Sequence, residues 1–228
     1  MQMSLIIKII NKYKLVSVLF LFISQFAFGT NDTIFTSYKN GVFVTECKVQ
    51  VNASGEIMNA VIDDYVYQTK YDLDELFKWA LKGLKLRKEV DDLIVFNFKS
   101  TKFDEKTGLI RATGDVEVPN VVTFPDIHVD SKMTKTEYTD GRAKVVLDVK
   151  YSDAFLKKTT GNFQLIPVSN RSCQLSLQTK VEFGWFFNIF ITTSSFKSIM
   201  EWRFEKLLNN IKAEAEKREK LTKTSPKQ

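Results

Sequence analysis

The chain has 228 residues, 33 Lys and Arg against 27 Asp and Glu, and one histidine. A single histidine excludes a histidine-based metal centre or a histidine pair, and no glycine-rich phosphate loop is present. The net charge of +6 is not on the folding body: residues 1–29 hold Lys8, Lys12 and Lys14 with no acid, and residues 212–228 hold six basic side chains against three acidic ones. Residues 30–211 are therefore neutral and lack the basic face that a nucleic-acid binder needs.

In chain order, the three lysines precede the apolar run "LVSVLFLFISQFAF" (15–28) and the small-x-small triplet Ala27-Phe28-Gly29. This reads as a signal peptide over 1–29, since the apolar core is shorter than the ~20 residues of a membrane span. The reading implies export to a periplasmic or extracellular compartment, with no transmembrane segment in the mature chain. No cysteine stands beside the cleavage site to take a lipid anchor. The mature part, about 200 residues, suffices for one core. It divides into an N-terminal extension (30–41), a single α+β domain (42–216) and a polar, disordered tail (217–228). Asn31, Asn52 and Asn170 open glycosylation sequons, which matter only in a eukaryotic secretory pathway.

"VFVTECKVQV" (42–51) alternates apolar and polar positions, the pattern of a half-buried strand. A helix follows with Ile57, Val61, Ile62 and Tyr65 at helical spacing and Ser54 as its cap. A second begins at Asp72-x-x-Glu75, a capping-box pattern, and carries Leu73, Leu76, Phe77, Ala80, Leu81 and Leu84 on one stripe. The period then changes. Strands are expected at 93–103 and 109–118, and "PNVVTFPDIH" (119–128), with two of the four prolines, is expected to cross between strands or cap the barrel. Asp140-Gly141 between two alternating runs predicts a tight hairpin. A further strand covers 162–168.

The clearest strand is 172–183, where Cys173, Leu175, Leu177, Thr179, Val181 and Phe183 alternate with six polar residues. A long helix starts near Ser195, with Phe196, Met200, Phe204, Leu207, Leu208 and Ile211 on one stripe and Trp202 opposite. Beyond Ile211 the apolar face is lost. The sum is an α+β fold: a curved antiparallel sheet of about six to seven strands, two helices after the first strand, and a long C-terminal helix packed on the sheet.

"FVTECKVQVNASGEIMNAVIDD" (43–64) and residues 172–216 resemble the first strand with its helix, and the last strand with its gripping helix, of the START and Bet v 1-like helix-grip superfamily, which includes polyketide cyclase-like proteins. A second resemblance rests on "DLDELFKWALKGL" (72–84) with its central Trp79, "DEKTGLIRATGDVEV" (104–118) and "KTEYTDGRAKVVL" (135–147). These are similar to an exported bacterial family of unknown function with a TATA-binding-protein-like fold. Neither resemblance brings a catalytic signature. The first implies a pocket for an apolar molecule.

Between Phe183 and Phe204 stand eight aromatic rings, with no charge from Phe183 to Phe196. Fourteen uncharged residues are too few to span a bilayer. The stretch can cap the sheet and seed the core, line a cavity, or dock at a membrane interface. The cavity reading nominates Leu175, Leu177, Val181, Phe183, Phe196, Met200 and Phe204. Contact with a partner or membrane nominates Trp185, Phe186, Phe187 and Trp202, the last beside Arg203, since both residue types anchor interfaces. His128 reads as a loop residue without a catalytic role. Cys47 and Cys173 lack metal-ligand spacing, and strand counting favours two buried thiols over a disulfide. No catalytic residue, metal or cofactor is nominated. The leading expectation is an exported, non-enzymatic binding protein for a hydrophobic, lipid-like molecule. The alternatives are a cell-envelope interaction module with a filled core and, less favoured, a small-molecule enzyme of polyketide-cyclase type.

Overall fold

The computed structural model describes residues 32–73, 75, 95–118 and 120–224. The expected signal peptide and nearly all of the second helix, Trp79 included, lie outside those residues. Its opening turn is described: the Glu75 N–H donates to Asp72 Oδ1 at 3.1 Å, as a capping aspartate does.

Among the described residues, eight strands form one open antiparallel sheet. They are β1 (Thr33–Lys39), β2 (Val42–Val51), β3 (Val95–Asp104), β4 (Leu109–Val118), β5 (Val122–Glu137), β6 (Ala143–Ser152), β7 (Leu156–Ser169) and β8 (Ser172–Phe183). Their spatial order is β1-β2-β8-β7-β6-β5-β4-β3, so the last strand returns beside β2 and all other neighbours are hairpins. Among the described residues they are accompanied by α1 (Gly55–Ile62), the single turn α2 (Trp185–Asn188) and α3 (Thr193–Thr224), with a π turn (Asp63–Tyr67) and a 3-10 turn (Gln68–Tyr71) after α1.

The expected α+β class, with a long C-terminal helix on an antiparallel sheet, is the one observed. The strand beyond the expected six to seven is β1, in what was read as an extension. Asn40 (φ 53°) and Gly41 (φ 83°) both take left-handed backbone, the two-residue hairpin turn that matches the twist of its strands. Residues 122–128 do not cross between strands or cap the sheet; they belong to β5. Pro125 fits because Asp126 turns left-handed (φ 54°) where the β4–β5 register shifts, and a bulge has room for a residue without an N–H.

The helices follow their sequence signals. Ser54 Oγ accepts from the Ile57 N–H at 3.3 Å and starts α1, which buries Met58, Val61 and Ile62. Thr192 caps α3 in the same way through the Ser195 N–H.

The far end of α3 departs from expectation. Instead of a solvated end and a tail disordered from 217, the helix runs to Thr224 with Ala215 and Glu219 buried. Acceptors replace the missing apolar residues: Glu216 Oε1 takes the Asn52 N–H (3.1 Å) and Glu219 Oε2 the Ser54 N–H (3.0 Å). Arg218 donates to Asp64 at 2.7 Å, tying the helix to the segment after α1. A hydrophobic stripe is one way to hold a helix to its neighbour; hydrogen bonds to unpaired backbone donors are another.

Candidate functional site

The position of α3 over the sheet follows from its contacts. Phe196 stacks on Phe43 with ring centroids 4.1 Å apart, and Glu201 Oε1 accepts from the N–H of Thr36, which is paired with Thr45. Glu216 reaches Asn52. From Glu201 to Glu216 the helix advances about 22 Å, and from Thr45 to Asn52 the strand advances about 23 Å. So α3 lies along β2 in the same direction, and each helix position has a strand level beneath it.

Strand register arranges the inner face under α3 in rows. One row runs Val49, Leu175, Leu165, Ala143, and none of the four is more than 3% exposed. The next runs Cys47, Leu177, Phe163, Val145; here only Phe163 is half-buried rather than buried. In the third, Thr45, Thr179, Gly161, Leu147, Thr45 is fully buried but the other three are half-buried. Beyond them Thr159, opposite Val181, is half-buried too. All these side chains point inward by the alternation of their strands. The inner face is thus sealed at the α1 end and partly open in the middle of β6, β7 and β8.

The floor of the open part has two polar features. Thr179 Oγ1 and Thr159 Oγ1 are screened from solvent and have no hydrogen-bond partner, whereas Thr36 and Thr45 pair with each other at 3.0 Å. Gly161, facing Thr179, leaves a notch: a Cβ there would meet nothing closer than Leu147 Cβ at 3.7 Å.

The nominated cavity residues split between sealed core and open middle. Leu175 and Leu177 belong to the sealed rows, and Phe204 is buried in the same core. Val181 and Phe196 are buried with Phe43 and Ile191 in a second cluster, which Phe183 and Met200 border while staying half-buried. Of the contact candidates, Trp185 is 80% exposed on α2, beside Ile189 at 67%. Phe186 and Trp202 are half-buried. Phe187 is 3% exposed and does not face outward: its ring packs on Phe155 and Phe124 at 5.1 and 5.2 Å. A four-residue helix turns successive side chains by about 100°, so Trp185 and Phe187 face opposite ways.

Arg203 stands apart from the expectation that set it beside an exposed Trp202. Relative to Glu201, which faces β1, it points about 200° round α3, inward over β8 and β7. It falls about 3 Å beyond Glu201 along the axis, at the level of Thr45 and Thr179. Its Nε is buried without a hydrogen-bond partner, and burial alone pushes its pKa down.

Two further groups lie elsewhere. His128 is on β5, not in a loop, and its Nδ1 lies 2.9 Å from Asp153, which also accepts from the Tyr151 hydroxyl at 2.5 Å. Next to it Arg111 grips Asp130 through two 2.7 Å hydrogen bonds. Arg111 alternates with the buried Ile110 and Ala112, so this cluster is on the outer face. Cys47 is paired with Leu177 and Cys173 with Val51, four residues apart along the ladder, or about 13 Å. Both are free buried thiols with pKa values pushed up to about 12, chiefly by burial.

Strand order, the return of β8 beside β2 and the long helix laid along β2 define a START-like helix-grip fold, the first of the two resemblances. No protein-family model matches the chain, and no curated protein matches it in sequence. Among solved structures it is similar to the Zhui aromatase/cyclase from Streptomyces sp. R1128, at 12% identity and TM-score 0.47, over 78% of this chain and 95% of that one. It is also similar to human STARD10, at 11% identity and TM-score 0.45, over 90% and 86%. A START superfamily protein from Mycobacterium smegmatis shares 13% identity at TM-score 0.43, over 76% and 97%. Likeness this distant transfers no ligand and no activity.

Proposed function

We propose that the protein is an exported, non-enzymatic binder of a lipid-like molecule, held between the inner face of the sheet and α3. One observation carries this reading: inward-facing residues of β6, β7 and β8 are sealed in one row and half-buried two rows away, although their strands continue unbroken. An inner face that stays partly accessible beside a dry core offers apolar walls with few polar groups, the usual make-up of a small-molecule site. Export rests on the 1–29 segment.

The test is native mass spectrometry of the protein purified from its own host, then denaturation and lipid extraction. A stoichiometric extra mass released on unfolding is expected, and Gly161→Phe, which fills the notch, should lose it. A bare protein that gains no mass from a lipid extract would sink the binder reading. A second reading has Trp185 and Ile189 in its favour: exposed at the strand–helix junction, they would meet an envelope protein or a membrane surface. Trp185→Ala should then abolish that contact and leave any bound mass in place.

A further inference from the structure

Helical periodicity puts Arg203 at the edge of the stripe that packs against the sheet, about 60° round α3 from Met200 and on the side of Phe196. A cation there needs a counter-charge, because desolvation disfavours it and neighbouring aliphatic groups give nothing back. The other buried charges in the described structure each have one, Glu219 through Lys223 among them. Lys135, whose side chain is only 9% exposed, is bracketed by Asp63 at 2.8 Å and Glu137 at 2.7 Å. Asp130, buried on the opposite face, has Arg111. Glu201 and Glu205, each two residues from Arg203, lie about 200° from it round the helix, and Glu201 holds the Thr36 N–H. Among the described residues no carboxylate pairs with Arg203. Thr179 and Thr159, two of the hydroxyls without a partner among the described residues, belong to the open floor, at the level where helical geometry places Arg203. Cation and donors all face the open part of the inner face, and none faces the sealed part.

We propose that Arg203 is the anchor for the anionic head of an amphipathic ligand, a carboxylate or a phosphate, with Thr179 and Thr159 as additional hydroxyl donors and the apolar tail along Leu147, Phe163 and Met200. This rests on the binding reading above and names its ligand class. Guanidinium geometry suits both anions, since its fork of N–H groups matches two oxygens at once. Without a carboxylate partner among the described residues, the arginine is then a preorganised donor whose burial is offset when the ligand arrives.

The experiment uses delipidated full-length protein and three probes with one tail: dodecanoate, dodecyl phosphate and dodecanol. Isothermal titration should show at least one anion binding about tenfold to a hundredfold tighter than the alcohol. The tighter anion distinguishes a fatty-acid-like from a phospholipid-like source. Arg203→Gln should bring the anions to within about threefold of dodecanol, whose own affinity stays unchanged, and Arg203→Lys should retain part of the preference. Far-UV circular dichroism verifies that both variants fold. Equal binding of alcohol and anions by the wild type overturns the anionic-head proposal and leaves the binding reading standing. A preference that survives Arg203→Gln overturns it as well. Failure of all three probes, with no mass released from native protein, overturns both.

Discussion

Two stretches of the same three strands behave differently. At the α1 end Leu175 and Leu165 are fully buried between Val49 and Ala143, under a helix held by Glu216 and Glu219. Three rows along from Val51, Thr179, Gly161 and Leu147 face the same way and are half-buried, at the level where helical geometry places Arg203. On β8 every second residue points inward without a break through both, whereas on β7 the apolar alternation lapses at residues 159–162. What differs is the inward residue itself: leucine and valine in one, threonine, glycine and an overhanging arginine in the other. The sealed end supplies stability, and the open middle departs from close packing in the way binding sites do.

That contrast breaks first at the sealed end. Leu175→Ala should lower stability by about 3–5 kcal/mol in chemical denaturation, because a fully buried leucine leaves a cavity. A loss under about 1 kcal/mol would mean that this row is as open as the other. Gly184→Ala comes next, at about 3 kcal/mol, since the new Cβ would sit 1.8 Å from the Ala154 carbonyl oxygen and force the junction between β8 and α2 apart. Glu219→Ala should remove about 1–2 kcal/mol by leaving the Ser54 N–H without its acceptor. It should also raise hydrogen exchange in α1, whose first turn Ser54 organises. No change there would mean that α3 does not hold the sealed end in place.

The outer face gives a pH-dependent control. The Arg111 guanidinium holds Asp130 below the usual carboxylate range, so the ionised group is favoured in the folded state. Its contribution is complete above the unfolded carboxylate pKa, near 4, and is lost as pH falls through the lower folded value. Asp130→Asn should cost about 1 kcal/mol at pH 7, and the gap to wild type should close below about pH 4. A gap that persists at pH 2 would show that the pair matters for shape rather than charge.

Much of the fold was legible because it rests on local rules. Strand β8 at 172–183, β4 at 109–118, the Asp140-Gly141 turn and the Ser54 cap each follow from spacing or turn chemistry. The Asn40-Gly41 pair carries the same hairpin signal, and reading it would have added β1. Residues 119–128 misled because proline argues against a strand, while a bulge set by the partner strand accommodates it. The buried end of α3 was illegible in principle: Glu216 and Glu219 look solvated until Asn52 and Ser54, over 160 residues earlier, present their N–H groups. The site shows the same limit. Apolar periodicity nominated Leu175 and Leu177, which are core, and passed over Thr179 on the same strand and Gly161 on the neighbouring one. Arg203 fell on the stripe by its own spacing, and a charged residue interrupting an apolar stripe is the signal that would have found it.

The smallest effect is the sharpest. Thr179→Val replaces a hydroxyl that is screened from solvent and unpartnered by a methyl of nearly equal volume. In a sealed, satisfied core such a change removes a hydrogen bond and destabilises. Here no bond is lost, and the desolvated oxygen disappears, so stability of the delipidated protein should rise by up to about 1 kcal/mol. Thr45→Val, one strand away in the same row, separates the two cases. Its hydroxyl is bonded to Thr36 and fully buried, so the same substitution should cost about 1 kcal/mol. Opposite signs from identical chemistry on neighbouring strands would mark the boundary between structural core and open floor at β2–β8. Equal signs would move that boundary outward, past Thr179, and take the hydroxyl out of the binding site.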